Sequence, residues 1–215
     1  MKNYILLTLI VILGSTTTTA QTKNKLAQKI ANYYGIANYK NAKTIAYTFN
    51  VTRDTTTTSR SWVWDIATNT ITMQTATETV TYKRDTIQTA AIKGTDQKFI
   101  NDQYWLLFPY HLLWDDGTTI TNATNQIAPI SKQPMDMLTI QYGTVGGYTP
   151  GDAYDLYIDN DGKIMEWNFR KGGTAKPSLS TTWENNVTLK GITMATDHKT
   201  ADGKFRLFFT NVTVK

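Results

Sequence analysis

The hydrophobic pattern of this chain changes period several times, and each change marks a predicted element. Residues 4–13 are apolar almost without interruption. Over 24–35 the period is helical: Leu26, Ile30, Tyr33 and Tyr34 fall at i, i+4, i+7 and i+8, and Gly35 is placed to end the helix. From residue 44 the period becomes two. Ile45, Tyr47, Phe49 and Val51 share one face of a predicted strand, with Thr44, Thr48, Asn50 and Thr52 on the other. After a threonine loop at 55–58, Trp62, Trp64 and Ile66 share a face of the next strand, and 71–75 and 78–84 continue the meander.

Helical spacing returns at Asp96. Phe99, Ile100, Tyr104 and Leu107 are helically spaced, and 105–114 is apolar almost all round. Pro109 lacks an N–H and disfavours α geometry at Phe108, so two short helical pieces with a kink are predicted, stopped by Asp115-Asp116-Gly117. Such a segment does not lie on an open surface: it covers the core, plugs the concave face of a sheet, or marks a partner site. Strands resume at 137–142. A hairpin follows, with alternating arms at 152–159 and 163–170 around Asn160-Asp161-Gly162. Further strands are predicted at 178–186, 187–194 and 205–214, the last apolar on both faces. Regular strands with short turns give a mainly β, α+β fold: a curled antiparallel sheet or half-open barrel, with a covering N-terminal helix and a helical apolar insert.

The first residues set the compartment. Met1-Lys2-Asn3 precedes the apolar run and Thr18-Thr19-Ala20 follows it, the layout of a secretory leader cleaved near Ala20. The alternative, an uncleaved anchor, needs about 20 apolar residues, twice what is present. Residues 21–215 then form one domain. Losing Lys2 lowers the formal charge from +5 to +4. Without cysteine there is no disulfide framework and no thiol for a lipid anchor. A monomer without a stable membrane span, periplasmic or secreted, is expected. The pI of about 9.2 comes from singly scattered basic residues rather than a stripe, which argues against nucleic acid.

Candidate chemistry is sparse. Two histidines and no cysteine leave no nitrogen–sulfur metal site. Asp197-His198-Lys199 reads as a solvated turn, and His111 as a hydrogen-bonded structural histidine. Asp155 and Asp159 share a strand face, most simply the wet one. A calcium loop with Gly162 at its sixth place needs an acidic first ligand where Tyr157 stands, so 159–162 is a plain hairpin turn. Gly146-Gly147 lacks a phosphate-loop lysine or a following helix and is a loop. The expectation is a protein that is not an enzyme, with no cofactor and no metal.

What remains is the aromatic inventory. Tyr47, Phe49, Trp62, Trp64, Trp105, Phe108, Trp114, Trp167 and Phe169, with Leu112, are the candidates to line a cavity for an acyl chain. Arg60 and Arg170 are the candidates to meet a head group. The alternative is a filled core with no cavity.

The order of elements resembles the half-open barrel of periplasmic lipoprotein carriers of the LolA type. More narrowly, Arg60-x-Trp62-x-Trp64-Asp65, Trp105-x-x-Phe108-Pro109 and Asp152-x-Tyr154-x-Leu156-Tyr157-x-Asp159 are similar to a family of secreted bacterial proteins of uncharacterised function. The resemblance implies a concave apolar face that receives acyl chains, with 99–114 as a helical lid and Arg60 as a latch on the closed form. The function it implies is a non-enzymatic carrier of a lipid, a lipoprotein acyl chain or another apolar ligand. The alternative is a structural or adhesive envelope module with an envelope protein as partner and aromatics that form only a packed core.

Overall fold

The computed structural model describes residues 24–86, 89–145 and 149–215. The leader expected at 1–20 and the Gly146-Gly147 loop lie outside the described residues.

Asn24 caps α1 (Lys25–Tyr33), its side-chain oxygen accepting from the N–H groups of Leu26 and Ala27 at 3.0 and 3.1 Å. The helix stops at Gly35, which takes a left-handed φ of 82° and starts the short α2 (Ile36–Tyr39). Four antiparallel strands follow: β1 (Thr44–Arg53), β2 (Thr56–Asp65), β3 (Thr70–Gln74) and β4 (Thr79–Lys83). Then come α3 (Ala90–Trp114) and a second antiparallel run: β5 (Thr118–Ile127), β6 (Pro134–Tyr142), β7 (Ala153–Ile158), β8 (Ile164–Arg170) and β9 (Leu179–Thr182). Finally β10 (Glu184–Leu189), β11 (Ile192–Lys199) and β12 (Phe205–Val214) rejoin the first group.

The result is two antiparallel sheets that do not close into a barrel. The seven-stranded sheet runs β10-β11-β12-β1-β2-β3-β4 and the five-stranded sheet β5-β6-β7-β8-β9. The expected curled antiparallel architecture is present, divided in two. The predicted strand at 178–186 divides at Trp183, which is 1 % exposed, so that β9 pairs in one sheet and β10 in the other. The edge strand β5 carries mainly threonine and asparagine and gave no alternation to read.

α3 starts nine residues ahead of Phe99, capped by Thr89, whose Oγ1 accepts from Ile92 N at 3.2 Å. As expected, it is two helical pieces joined at a kink, which falls at Leu107 (φ −112°, ψ 15°); the first piece is longer than the spacing predicted. Pro109, two residues on, has no N–H for the carbonyl of Trp105, and its ring crowds that turn. Residues 102–112 are buried on every face of the helix. As expected, the segment does not lie on an open surface but forms an enclosed wall of the interior.

Tyr34 ties α1 to the rest. Its carbonyl accepts from Tyr110 Oη at 2.6 Å and from Thr193 N at 2.9 Å, and its hydroxyl accepts from Ile164 N at 3.1 Å. One residue thus joins α1 to α3 and to a strand of each sheet. A single apolar cluster runs through both sheets, α1 and α3.

Two expectations about polar residues are corrected. Asp197-His198-Lys199 is the end of β11, not a solvated turn. His198 is fully buried against Trp183 and Trp105, and Asp197 accepts a fork from Arg206 at 2.8 and 2.9 Å. Asp155 does not face water. It sits in a central strand, 6 % exposed, where it accepts from Thr139 Oγ1 and from both Nε and Nη2 of Arg170. The hairpin turn is as read: Asp159 Oδ1 accepts from Asp161 N and Lys163 N, and Gly162 takes a φ of 95°.

Candidate functional site: a cleft between the sheets

β1, β2 and β12 present one wall and β7, β8 and β9 another, with α3 along the interior. Between them lies a cleft of about 1560 Å³, open to solvent. Alternation aims its apolar floor. In the β1–β2 ladder Phe49 stands opposite Arg60, and on β12 Phe205 and Leu207 turn the same way. From the other sheet come Trp167, Phe169 and Leu179.

Of the proposed lining residues, Phe49, Trp64, Trp105, Trp114, Trp167 and Phe169 border the cleft, as does Arg60. The others are elsewhere. Tyr47, Trp62, Phe108 and Leu112 are packed into the apolar core, each at most 4 % exposed. Arg170 is held on Asp155, away from the cleft. The rings that do converge touch one another. Trp105 meets Trp167 with centroids 4.4 Å apart, and Phe99 meets Trp64 at 5.5 Å.

Polar groups fix α3 against both walls. Arg60 of β2 donates from Nε and Nη2 to the two carboxylate oxygens of Asp102 at 2.5 and 2.6 Å, and Trp62 Nε1 donates to Asp102 Oδ2 at 2.7 Å. Burial raises the Asp102 carboxyl above the usual range, opposed by the Arg60 fork and by Asn101 and Trp62. One and a half turns earlier, Asp96 accepts from Tyr82 Oη at 3.0 Å and from Arg84 Nε at 2.9 Å.

At the far end, Tyr104 Oη donates to Tyr142 Oη at 2.8 Å, and Tyr142 Oη donates to Asp115 Oδ2 at 2.5 Å. Burial pushes both phenols well above their ordinary pKa, so they are neutral donors. His111 places Nδ1 2.9 Å from Asp115 Oδ1 and Nε2 3.0 Å from Gln103 Nε2. A carboxylate only accepts, so Nδ1 carries a proton, and in the neutral ring Nε2 accepts from the amide. His111 is thus hydrogen-bonded on both sides.

Arg53, Arg84, Gln103, Tyr142 and Tyr154 also border the cleft and were not singled out from sequence. One signal was available: Arg60 shares its strand face with Trp62 and Trp64, and an inward arginine needs an acid on the element that covers it. Among the described residues no group of three or more histidine, cysteine, aspartate or glutamate side chains is arranged to hold a metal ion. Nor is any helix of the described residues long and apolar enough to cross a membrane.

No family model matches this chain, and no curated protein matches it. Among solved structures it is similar to the crystal structure of a DUF1329 family protein from Desulfovibrio piger, with a TM-score of 0.50 and 8% identity, over 90% of this chain and 93% of that one. That family is of unknown function and has a fold similar to that of LolA-like proteins. At this identity the likeness is one of fold.

Proposed function

We propose that this protein is a non-enzymatic carrier, periplasmic or secreted, that holds the acyl chain of a lipid or lipoprotein in the cleft between its sheets. The observation that carries this reading is the cleft itself: about 1560 Å³, floored by Phe49, Trp64, Phe99, Trp105, Trp167 and Phe169. That volume exceeds the roughly 300–1,000 Å³ of ordinary small-molecule pockets. Burying a methylene is worth ~0.8 kcal/mol, so a 14-carbon chain offers roughly 10 kcal/mol gross before ordering costs. The resemblance to LolA-type carriers gives Arg60 the part of a latch, and its fork on Asp102 suits that part. Parting α3 from β2 would break it.

The test is titration of a lipophilic fluorescent probe into the purified protein, with native mass spectrometry of protein isolated gently from its source. Saturable enhancement and an added lipid mass are expected. No saturable enhancement would remove the reading.

A second reading, a structural or adhesive envelope module, draws on the four candidate residues that sit in the core instead of the cleft. Recovery of a defined envelope protein in a pull-down, with no lipid bound, would favour it.

A further inference from the structure

We propose that the part of the cleft where α3 ends recognises a protonated amine, so that the acyl ligand it receives carries an ammonium head. This rests on the reading of the cleft as an acyl-chain site. Gln103, Tyr104 and His111 of α3, Asp115 just beyond it, Tyr142 of β6 and Tyr154 of β7 all border the cleft.

The hydrogen bonds among these residues run inward to Asp115. Tyr104 Oη donates to Tyr142 Oη, and Tyr142 Oη donates to Asp115 Oδ2. His111 Nδ1 donates to the same carboxylate, 2.9 and 3.0 Å from its two oxygens. Three protons that could meet a ligand are thus turned away from it, and acceptors remain. The Asp115 side chain keeps 25% exposure. Gln103 donates from Nε2 to His111 Nε2, so Gln103 Oε1, 3.3 Å from that unprotonated nitrogen, receives no hydrogen bond from it. The Gln103 side chain is 4 % exposed, and a buried acceptor left without a donor calls for one from the ligand.

Charge points the same way. Neutral phenols and a neutral imidazole do not compensate the Asp115 carboxylate. Among the described residues no lysine or arginine pairs with Asp115, nor with Asp116, which also borders the cleft. The carbonyls at the end of α3 add partial negative charge. Arg84 lies toward this end of the sheet, since Tyr82, Ile71, Trp64 and Ile45 stand level across β4 to β1, but its charge is met by Asp96. Arg60 is held on Asp102. Arg53 is remote: Trp114 reaches the Ile45–Trp64 level through Tyr39, with ring centroids 4.6 and 6.2 Å apart, and Arg53 stands eight residues along β1 from Ile45. At 3.3 Å per residue that is roughly 26 Å.

An organic cation fits this end better than a metal ion. No group of three or more acidic or histidine side chains among the described residues is arranged to ligate a metal. Aromatic rings do border it: Trp114, Tyr142 and Tyr154, the last two with centroids 6.0 Å apart. Ring faces attract ammonium groups, and a carboxylate accepts their N–H donors.

The experiment titrates the full chain with two amphiphiles of identical chain, decylamine and decanol, below micelle formation at pH 7, followed by tryptophan fluorescence. An alkylamine is protonated there, as a lysine side chain is with its pKa of about 10.4. Decylamine should bind about tenfold tighter at low salt, the worth of one charge-assisted hydrogen bond, although the chain itself carries a formal charge of +5. Added salt should narrow the gap, because this end is open to solvent. Asp115→Asn should lower the affinity for decylamine and leave that for decanol unchanged, a split that a merely structural role would not give. Asp116→Asn, at an exposed residue, should narrow the gap with an unchanged melting temperature. Equal affinity for the two amphiphiles overturns the amine site and leaves the acyl-chain site standing. A gap that survives both substitutions also overturns it. If neither amphiphile binds, the acyl-chain site falls and the amine site with it.

Discussion

Arg60 and Asp102 meet in a two-pronged ion pair that joins the inner face of β2 to the middle of α3, and the carboxylate end is fully buried. Breaking such a pair from one side leaves a buried charge without compensation. Arg60→Ala is expected to lower stability by about 3 kcal/mol, because Asp102 keeps only Trp62 Nε1 and the Asn101 amide. Asp102→Asn should cost less, since a neutral amide needs no counter-ion and the stranded arginine reaches solvent. Urea unfolding of the two variants checks the order. The reverse order would mean that the helix is not held by this pair.

His198 makes stability depend on pH. Burial lowers its pKa from 6.5 to about 3, against smaller raising contributions from the Thr182 carbonyl and Asp197. The folded protein thus holds the neutral ring, while the unfolded chain takes up a proton below 6.5. Between about 3 and 6.5 the unfolded state binds more protons, so stability rises with pH. The contribution is fully present above 6.5 and is lost as pH falls, at about 1.4 kcal/mol per pH unit for one proton. Urea midpoints of the parent and His198→Asn from pH 7 to pH 4 should show a shallower slope in the variant. Parallel curves would show that His198 does not titrate on unfolding.

Ring residues of similar appearance in the sequence should separate by readout. Trp62 is 1 % exposed and lies outside the cleft, so Trp62→Ala should cost about 3–5 kcal/mol through the cavity it leaves. Phe169 is half-buried on the cleft wall, stacked on Tyr154 with centroids 5.3 Å apart. Phe169→Ala should cost about 1 kcal/mol in stability and weaken binding of a lipophilic probe several-fold. Denaturation and probe titration on the same samples check this. Equal loss of probe binding per unit of lost stability in both variants would erase the distinction between core and wall.

These contrasts show what periodicity could reveal. Strict alternation over Ile45, Tyr47, Phe49 and Val51 fixed β1, and the Asn160-Asp161-Gly162 turn fixed the β7–β8 hairpin, because both signals are local. It could not say which inward ring is sealed in the core and which borders the cleft, since Phe99 of α3 touches both Trp62 and Trp64. Trp62 and Trp64 lie on one face of one strand, yet one is core and the other cleft wall. That depends on where the kinked helix crosses, a non-local fact. The same holds for Asp197-His198-Lys199: a polar tripeptide reads as a turn until Trp183, between β9 and β10, and Arg206 of β12 arrive to cover it. The division at Trp183 between the sheets was hidden for a related reason, since continuous strand propensity carries no mark of a change of partner. The acids of α3, Asp96 and Asp102, were legible only in principle, as charges inside a segment that had to be enclosed.

The turn between α1 and α2 makes the most demanding use of glycine. Gly35 has a φ of 82°, and a Cβ built there would lie 2.0 Å from the carbonyl oxygen of Gly191 in the β10–β11 hairpin. The same oxygen accepts from Asn38 Nδ2 at 2.9 Å, so it is not free to move aside. Gly203, in the turn before β12, has a similar φ of 68° with open space around it. Gly203→Ala should therefore cost only the left-handed backbone penalty, about 1 kcal/mol. Gly35→Ala adds a backbone clash, and about 2–3 kcal/mol is expected, with the helix pair displaced from the hairpin. Thermal melts of the two variants measure the difference, and hydrogen exchange at Thr193, whose N–H is held by the Tyr34 carbonyl, reports the displacement. Equal melting temperatures would mean that the approach of Gly35 to Gly191 is looser than its geometry requires.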